Sequence, residues 1–368
     1  MKVLITGANG FLGKNLQIHL SERNDIDSQC FTREHKQTEL HGLLEHVDFV
    51  FHMAGVNRPK DVLEFKQDNT DLTVALCAAI EKIGRSIPVL YTSSIQAGNM
   101  DPYAQSKLEA ELALKAFSEK TKAPVYLFRL PNVFGKWCKP NYNSAVATFC
   151  HNISRGLPIQ INNPNATIRL VYIDDVIEKF ISIMDNAVVR DIYCDIDPEY
   201  RITVGELVDR INVFKAGRES LTSERVGVGF DRALHSTYLS YLPTENFSYS
   251  LAKHTDPRGV FVEMLKTQDS GQFSYFTAHP GITRGGHYHH TKTEKFLVLK
   301  GQALFKFRNV VTDQYYEIET EGDEPTVVET VPGWTHDITN IGADEMIVML
   351  WANEIFDHDH PDTYVYPL

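Results

Sequence analysis

The sequence predicts a parallel α/β domain followed by an all-β domain, and three observations carry that division. Residues 2–5, Lys-Val-Leu-Ile, form a short apolar run that ends in Thr6-Gly7-Ala8-Asn9-Gly10-Phe11-Leu12-Gly13, after which Leu12, Leu16, His19 and Leu20 recur at helical spacing. Strand, glycine-rich turn and helix in that order open a parallel α/β unit. From about residue 248 the texture changes to short strands separated by turns containing Gly or Asp, the pattern of a β-sandwich or barrel. Within that second region His287, His289, Glu294 and His336 make a nitrogen and oxygen set suited to a borderline divalent cation such as zinc.

Size and composition agree with this division. A chain of 368 residues is long enough for two or three domains, each with its own core. Hydrophobic residues at 43% and charged residues at 23% are those of an ordinary water-soluble protein. The net charge of −12 argues against nucleic acid or an anionic membrane as partner. Cys30, Cys77, Cys138, Cys150 and Cys194 are odd in number and scattered, so neither a disulfide framework nor a cysteine metal site is indicated. The opening MKVLITGANG has too short an apolar run for a signal peptide, and no membrane-length apolar run follows. A cytoplasmic location is expected.

In the first region, glycines let the backbone approach a pyrophosphate, and the helix that follows presents N–H groups and the positive end of its dipole. Gly7, Asn9, Gly10, Phe11, Leu12 and Gly13 are therefore the candidate cofactor cradle. The next strand ends near Gln29-Cys30-Phe31, and the Thr32-Arg33 pair that follows offers a hydroxyl and a guanidinium in place of an acidic residue. Arg33 suits a 2′-phosphate, so NADPH is the expected cofactor. Residues 69–83 read as a helix, Pro88–Tyr91 as a strand delivering Ser94, and Tyr103-Ala104-Gln105-Ser106-Lys107 as the start of another helix. Tyr103 and Lys107 are four apart and share a helical face, so the ammonium can lie beneath the phenol and lower its pKa.

The glycine spacing, the Ser-ended strand and the Y-x3-K helix together resemble the short-chain dehydrogenase/reductase family in its extended branch. The resemblance implies a Rossmann-like fold and the catalytic set Ser94, Tyr103 and Lys107: Ser94 to position the substrate oxygen, Tyr103 to pass its proton, Lys107 to hold the nicotinamide ribose. It also implies a sugar-nucleotide contact from Pro131-Asn132-Val133-Phe134-Gly135. Arg169 reads either as a contact to the nucleotide diphosphate or as a salt bridge to Asp174 or Asp175. Ser94 and Tyr103 are only nine residues apart, whereas relatives carry a longer covering loop there, so the pocket is either open or closed by another segment.

Between about 236 and 247 helical periodicity fades, which places a junction there, with domains over 1–240 and 245–368. Strands are expected at Phe261–Leu265, Phe273–Thr277, Phe296–Leu299, Ala303–Arg308, Tyr315–Glu319, Thr326–Val331 and Met346–Trp351. Gly281, His287, His289, Glu294 and Gly301 fill G-x5-H-x-H-x4-E-x6-G, which resembles the first motif of the cupin family and implies a jelly-roll domain. The second cupin motif is met loosely, with one residue fewer between Pro332 and His336. Asp256-Pro257-Arg258-Gly259-Val260-Phe261-Val262-Glu263 with Arg284-Gly285-Gly286-His287-Tyr288 is similar to the nucleotide-sugar 3,5-epimerases, where the residue matching His287 is a base in a metal-free site. With ligands His289, Glu294 and His336 beside it, His287 reads as a ligand, leaving the base among His290, Tyr288, His279 and Asp337. The cation is either catalytic or a structural brace.

The pairing of the two domains resembles the bifunctional capsular polysaccharide enzymes of the CapF type. That resemblance implies a homodimer acting on a UDP-sugar. It also implies that the cupin epimerises C3 of UDP-2-acetamido-2,6-dideoxy-4-hexulose and that the reductase then uses NADPH at C4 to give UDP-2-acetamido-2,6-dideoxy-L-talose. A redox-neutral 4-epimerase or dehydratase is the enzymatic alternative. Dehydratases carry an Asp-Glu pair after the active-site hydroxyl, where Ile95-Gln96 stands here. A nucleotide-sugar-binding regulator is the non-enzymatic alternative.

Overall fold

A computed structural model of the chain describes residues 1–186, 192–252, 254–256, 259–261, 265–267, 271–354 and 359–368. Two compact units divide it, one of residues 1–144 with 168–201 and one of residues 145–167 with 202–368.

The first unit is built on a parallel sheet. β1 (Lys2–Thr6), β2 (Asp27–Phe31), β3 (Phe49–His52), β4 (Val89–Ser94) and β5 (Val125–Leu130) stand in the order β2-β1-β3-β4-β5, with Tyr193–Cys194 at the edge beside β5. Every pairing is parallel. β3 and β4 are buried along their whole length, as strands covered on both faces must be, although β4 ends in Thr92-Ser93-Ser94. Leu4, Val50, Val89 and Leu127 from the sheet pack with Leu76, Ile80, Leu114 and Phe117 from helices Leu72–Ile83 and Pro102–Thr121. The chain winds one way from β1 to β2 and the other way from β1 to β3, so a crevice opens at the carboxyl ends of these strands.

The second unit carries two five-stranded antiparallel sheets, the cupin jelly roll, together with helices Ala145–Ser154, Val204–Ser220 and Gly229–Ser240. One sheet runs Ser248–Ser250, Thr326–Glu329, Glu294–Lys300, Met346–Ala352, Gln272–Ala278; the other runs Tyr315–Glu321, Gln302–Asn309, Trp334–Asn340, Thr283–Tyr288, Tyr364–Val365. Along Gln302–Asn309, Ala303, Phe305 and Phe307 turn inward, and Phe305 meets Phe296 of the opposite sheet with ring centroids 5.7 Å apart.

Two readings of the sequence change, and a third falls outside the described residues. The junction placed from residue 236 begins inside a helix, because Gly229–Ser240 continues to Ser240. Its Ser and Thr hydroxyls are absorbed: Thr237 Oγ1 donates to Ala233 O at 2.7 Å, and Ser236 Oγ donates to Thr291 O at 2.7 Å. Polar residues with such partners break the apolar pattern without breaking the helix. Thr283–Tyr288 and Trp334–Asn340 are strands that glycine and polar content conceal. The expected strand Phe261–Leu265 and the 256–263 motif include Pro257, Arg258 and residues 262–264, which lie outside the described residues.

Candidate functional site

The residues singled out in the sequence gather into two clusters, one in each unit. The first lines a cleft of about 810 Å³ at the carboxyl ends of the parallel strands. Gly7, Asn9, Gly10, Phe11, Leu12, Gly13, Arg33, Ser94, Tyr103 and Lys107 all face it. Gly7 sits at φ +70°, and a Cβ there would lie 2.6 Å from Ala54 N. The turn therefore closes onto the end of β3 only with glycine.

Helix Pro102–Thr121 sets the catalytic candidates. Asp101 caps it by accepting from Ala104 N at 3.0 Å, and Pro102 occupies the first turn, where its missing N–H costs nothing. This cap fixes the phase of the helix, so Tyr103 and Lys107 both face the cleft while Ser94 arrives from the end of β4. Ser94 and Tyr103 both border the cleft.

The expected effect of Lys107 on the phenol is corrected. Burial raises the Tyr103 pKa, the Ser94 hydroxyl opposes this only partly, and Asp101 adds to the rise. Lys107 Nζ instead donates to Thr92 O at 2.9 Å and lies 4.9 Å from the centre of the Tyr91 ring. Burial brings the ammonium down to about 8, while Glu111 one turn further along opposes the fall. Glu111 is fully buried; it accepts from Ser93 Oγ at 2.5 Å, from Arg129 Nε at 3.0 Å and Nη2 at 2.7 Å, and from Tyr193 OH at 2.8 Å. Nothing in its sequence context singles Glu111 out, since its partners come from three other strands.

Other residues are placed differently from one another. Arg33 borders the cleft, largely exposed, with Nη2 3.2 Å from Asp68 Oδ2. Arg169 pairs through two hydrogen bonds with Glu199, at 2.8 and 2.5 Å, so the salt-bridge reading stands with a different partner from Asp174 or Asp175. Asp174 accepts from Lys136 Nζ at 2.5 Å in the interior. The short Ser94–Tyr103 connection leaves one side of the cleft to Trp137, Cys138, Lys139, Tyr142, Asn143 and Ser144. Trp137 and Asn141 of this segment hold left-handed backbone, φ 68° and 53°, a cost that position-specific function commonly explains.

The second cluster brings one ligand atom each from His287, His289, Glu294 and His336 within 4.8 Å of one another. Gly285 and Gly286 form a bulge in Thr283–Tyr288. A Cβ at Gly285, φ +109°, would press within 2.8 Å of His336 O, so glycine lets the strands carrying His287 and His336 close up. His289 Nδ1 donates to Asp362 O, which leaves Nε2 without a proton in the neutral ring. That lone pair faces Glu294 Oε2 at 3.2 Å, and His336 Nε2, buried and without a hydrogen bond, lies 3.5 Å from the same oxygen. Acceptors converging in this way need a proton or a cation between them, so the residues fit a divalent metal. Burial pushes His287 down to about 3, with His336 and His289 adding to it. Burial would raise Glu294, yet His289 and His336 hold it well below the usual carboxylate range.

Among the candidate bases, Tyr288 and Asp337 each neighbour a ligand in their strands, so alternation turns them to the opposite face. Tyr288 packs on Tyr364 at 5.6 Å and His290 at 5.4 Å, and Asp337 stands opposite Lys306. The His290 ring lies against Tyr364 at 4.8 Å, and His279 is exposed beyond Gln272–Ala278. Sequence reasoning passed over Lys292, a buried ammonium 3.8 Å from Glu294 Oε1.

A parallel nucleotide-binding sheet with Ser, Tyr and Lys at its crevice defines the first unit as a dinucleotide-dependent enzyme of the short-chain reductase class. Residues 3–194 match the NAD dependent epimerase/dehydratase family, and residues 254–364 match the polysaccharide biosynthesis C-terminal domain. The UDP-2-acetamido-2,6-beta-L-arabino-hexul-4-ose reductase of Pseudomonas aeruginosa is 61% identical over 364 residues, covering 99% of this chain and 98% of that protein. The crystal structure of the capsular polysaccharide assembling protein CapF from Staphylococcus aureus is 40% identical, covers 100% of both chains and superposes with a TM-score of 0.69. A UDP-glucuronic acid 4-epimerase from Bacillus cereus, in complex with NAD, shares the fold alone: 18% identity over 59% of this chain and 85% of that one, TM-score 0.53. The chain belongs to the NAD dependent epimerase/dehydratase family, in the CapF-type group that carries a polysaccharide biosynthesis C-terminal domain. Among the described residues, no helix is long and apolar enough to cross a membrane.

Proposed function

We propose that this protein reduces the C4 ketone of UDP-2-acetamido-2,6-dideoxy-4-hexulose with NADPH, after its cupin domain has epimerised C3, to give UDP-2-acetamido-2,6-dideoxy-L-talose for capsular polysaccharide. The observation that carries this reading is the convergence of Ser94, Tyr103 and Lys107 on one cleft with the glycine turn, in a chain 61% identical to a hexul-4-ose reductase. The division of labour follows domains over 1–240 and 245–368, in a cytoplasmic homodimer.

NADPH, when bound, supplies the hydride to C4. Ser94 holds the ketone oxygen, and Tyr103 delivers the proton that turns the developing alkoxide into a hydroxyl. Lys107 holds the nicotinamide ribose, and the phenolate left behind is reprotonated from solvent. Arg33 at the cleft rim is the partner for the 2′-phosphate. A divalent cation such as zinc, held by His287, His289, Glu294 and His336, would supply Lewis-acid polarisation of the ketone, which acidifies the C3 proton. For C3 to invert, its proton must pass to a base of the protein and return on the opposite face, the candidates being His290, Tyr288, His279 and Asp337.

Incubating the full-length protein with the 4-keto sugar nucleotide in deuterated water tests both halves. Deuterium should enter C3 without NADPH, and added NADPH should be consumed one for one with a C4 alcohol. NADPH left unoxidised with this substrate would refute the reductase; absence of C3 exchange by the metal-loaded protein would refute the epimerase.

A further inference from the structure

Segment 362–366 touches the backbone around three of the four ligand residues. The Asp362 carboxylate accepts four hydrogen bonds, from the backbone N–H of His290 at 2.8 Å, Thr291 at 2.7 Å and Lys292 at 2.6 Å, and from the Thr291 hydroxyl at 2.9 Å. Its own carbonyl accepts from His289 Nδ1. Tyr364 and Val365 then pair with Tyr288 and His287. Tyr366 N donates to Gly286 O at 2.8 Å, and the Thr335 hydroxyl, next to His336, donates to Tyr366 O.

The loop His289–Thr293 has no regular structure to satisfy its amides, yet its residues are buried. Thr293 N is taken by Asn353 Oδ1 at 2.9 Å and Glu294 N by Thr330 Oγ1 at 2.8 Å, which leaves the three amides in the middle to one carboxylate. A buried N–H without an acceptor is destabilising, so the loop holds this course only while Asp362 is in place. The same contact sets the His289 tautomer that aims an unprotonated Nε2 at Glu294.

We propose that Asp362 is a positioning residue for the cation site, and that docking of segment 362–366 and occupation of the site by a divalent ion are linked in free energy. This rests on reading His287, His289, Glu294 and His336 as metal ligands. Because linkage is reciprocal, a bound ion must hold the segment down as firmly as the segment improves ion binding.

The experiment uses the full-length protein with zinc or cobalt(II). Chelator competition should show Asp362→Ala weakening zinc by about 10–100-fold, with a changed cobalt(II) absorption spectrum. Asp362→Asn, which keeps one acceptor oxygen, should fall between Asp362→Ala and the unmodified protein, and it carries the comparison if the alanine variant does not fold. In the unmodified protein, zinc should slow hydrogen exchange at the amides of His290, Thr291 and Lys292. Unchanged zinc affinity and cobalt spectrum in the variants, or amide exchange indifferent to zinc, would overturn the linkage while leaving the metal site standing. If the unmodified protein binds neither ion, the metal reading itself falls, and this inference with it.

Discussion

The reductase cleft and the cation site are both built from few residues, but they are assembled in opposite ways. In the cleft, Tyr103 and Lys107 share one capped helix and Ser94 ends the neighbouring β4, so local geometry alone brings them to one face. In the cation site, His287, His289, Glu294 and His336 come from two strands of one sheet, a strand of the other and a loop between them. Their alignment depends on the Gly285 bulge and on Asp362, more than seventy residues beyond the first ligands. A site carried on one element survives the loss of a neighbour; a site gathered across a sandwich depends on every strap.

The sharpest test of that contrast is to remove one residue from each. Tyr103→Phe keeps the ring but deletes the transferable proton, and should lower NADPH oxidation by about 10²–10⁴-fold while NADPH binding and C3 exchange persist. His289→Ala removes a ligand held by both Glu294 and Asp362. It should abolish C3 exchange together with metal binding and leave NADPH binding intact. Cofactor fluorescence, deuterium incorporation and metal analysis on both proteins decide the matter; because reduction follows epimerisation, His289→Ala should also stop NADPH oxidation, and loss of C3 exchange in Tyr103→Phe or of NADPH binding in His289→Ala would break the comparison.

A smaller effect is expected at the rim. Arg33 is exposed and pairs with Asp68 at 3.2 Å, so it is available to an incoming phosphate for the cost of one weak surface pair. Charged hydrogen bonds of this kind contribute about 1.5–3 kcal/mol, so Arg33→Glu should reduce the preference for NADPH over NADH by about 10–100-fold in kcat/KM. An unmodified protein that uses both cofactors equally would remove Arg33 from the site.

This contrast also explains what could be read in the sequence. Strand, glycine turn and helix are contiguous, and so are Tyr103 and Lys107, so periodicity and spacing expose them. The four candidate ligand residues were legible because three fall within eight residues, Glu294 being seven after His287. What escaped was non-local. The pair Lys107–Thr92, the Glu111 network and the Asp362 carboxylate each join elements that only the folded sheets bring together. The direction of the Tyr103 shift escaped for a related reason: a helical neighbour can be counted from sequence, whereas burial cannot.

Glu111 offers the finest adjustment of the cleft, because its effect on the chemistry passes through Lys107. Burial has brought the Lys107 ammonium down to about 8, so its proton is present below that pH and is lost as the pH rises through it. In the proposed reaction the ammonium holds the nicotinamide ribose, so kcat/KM for NADPH in the free enzyme should fall along a one-proton limb above about pH 8. Glu111 raises the Lys107 pKa by its negative charge one helical turn away. Glu111→Gln removes that charge while keeping the size of the side chain, so the limb should move to lower pH. The sign is fixed: a neighbouring anion favours the ammonium, and its loss favours the neutral amine. The rate change should stay below about tenfold at any one pH, and below pH 7 the two proteins should converge. A full kcat/KM profile for both proteins measures this. A limb that stays in place would mean that Glu111 serves only Ser93, Arg129 and Tyr193, and one that moves upward would mean that the group titrating there is not Lys107.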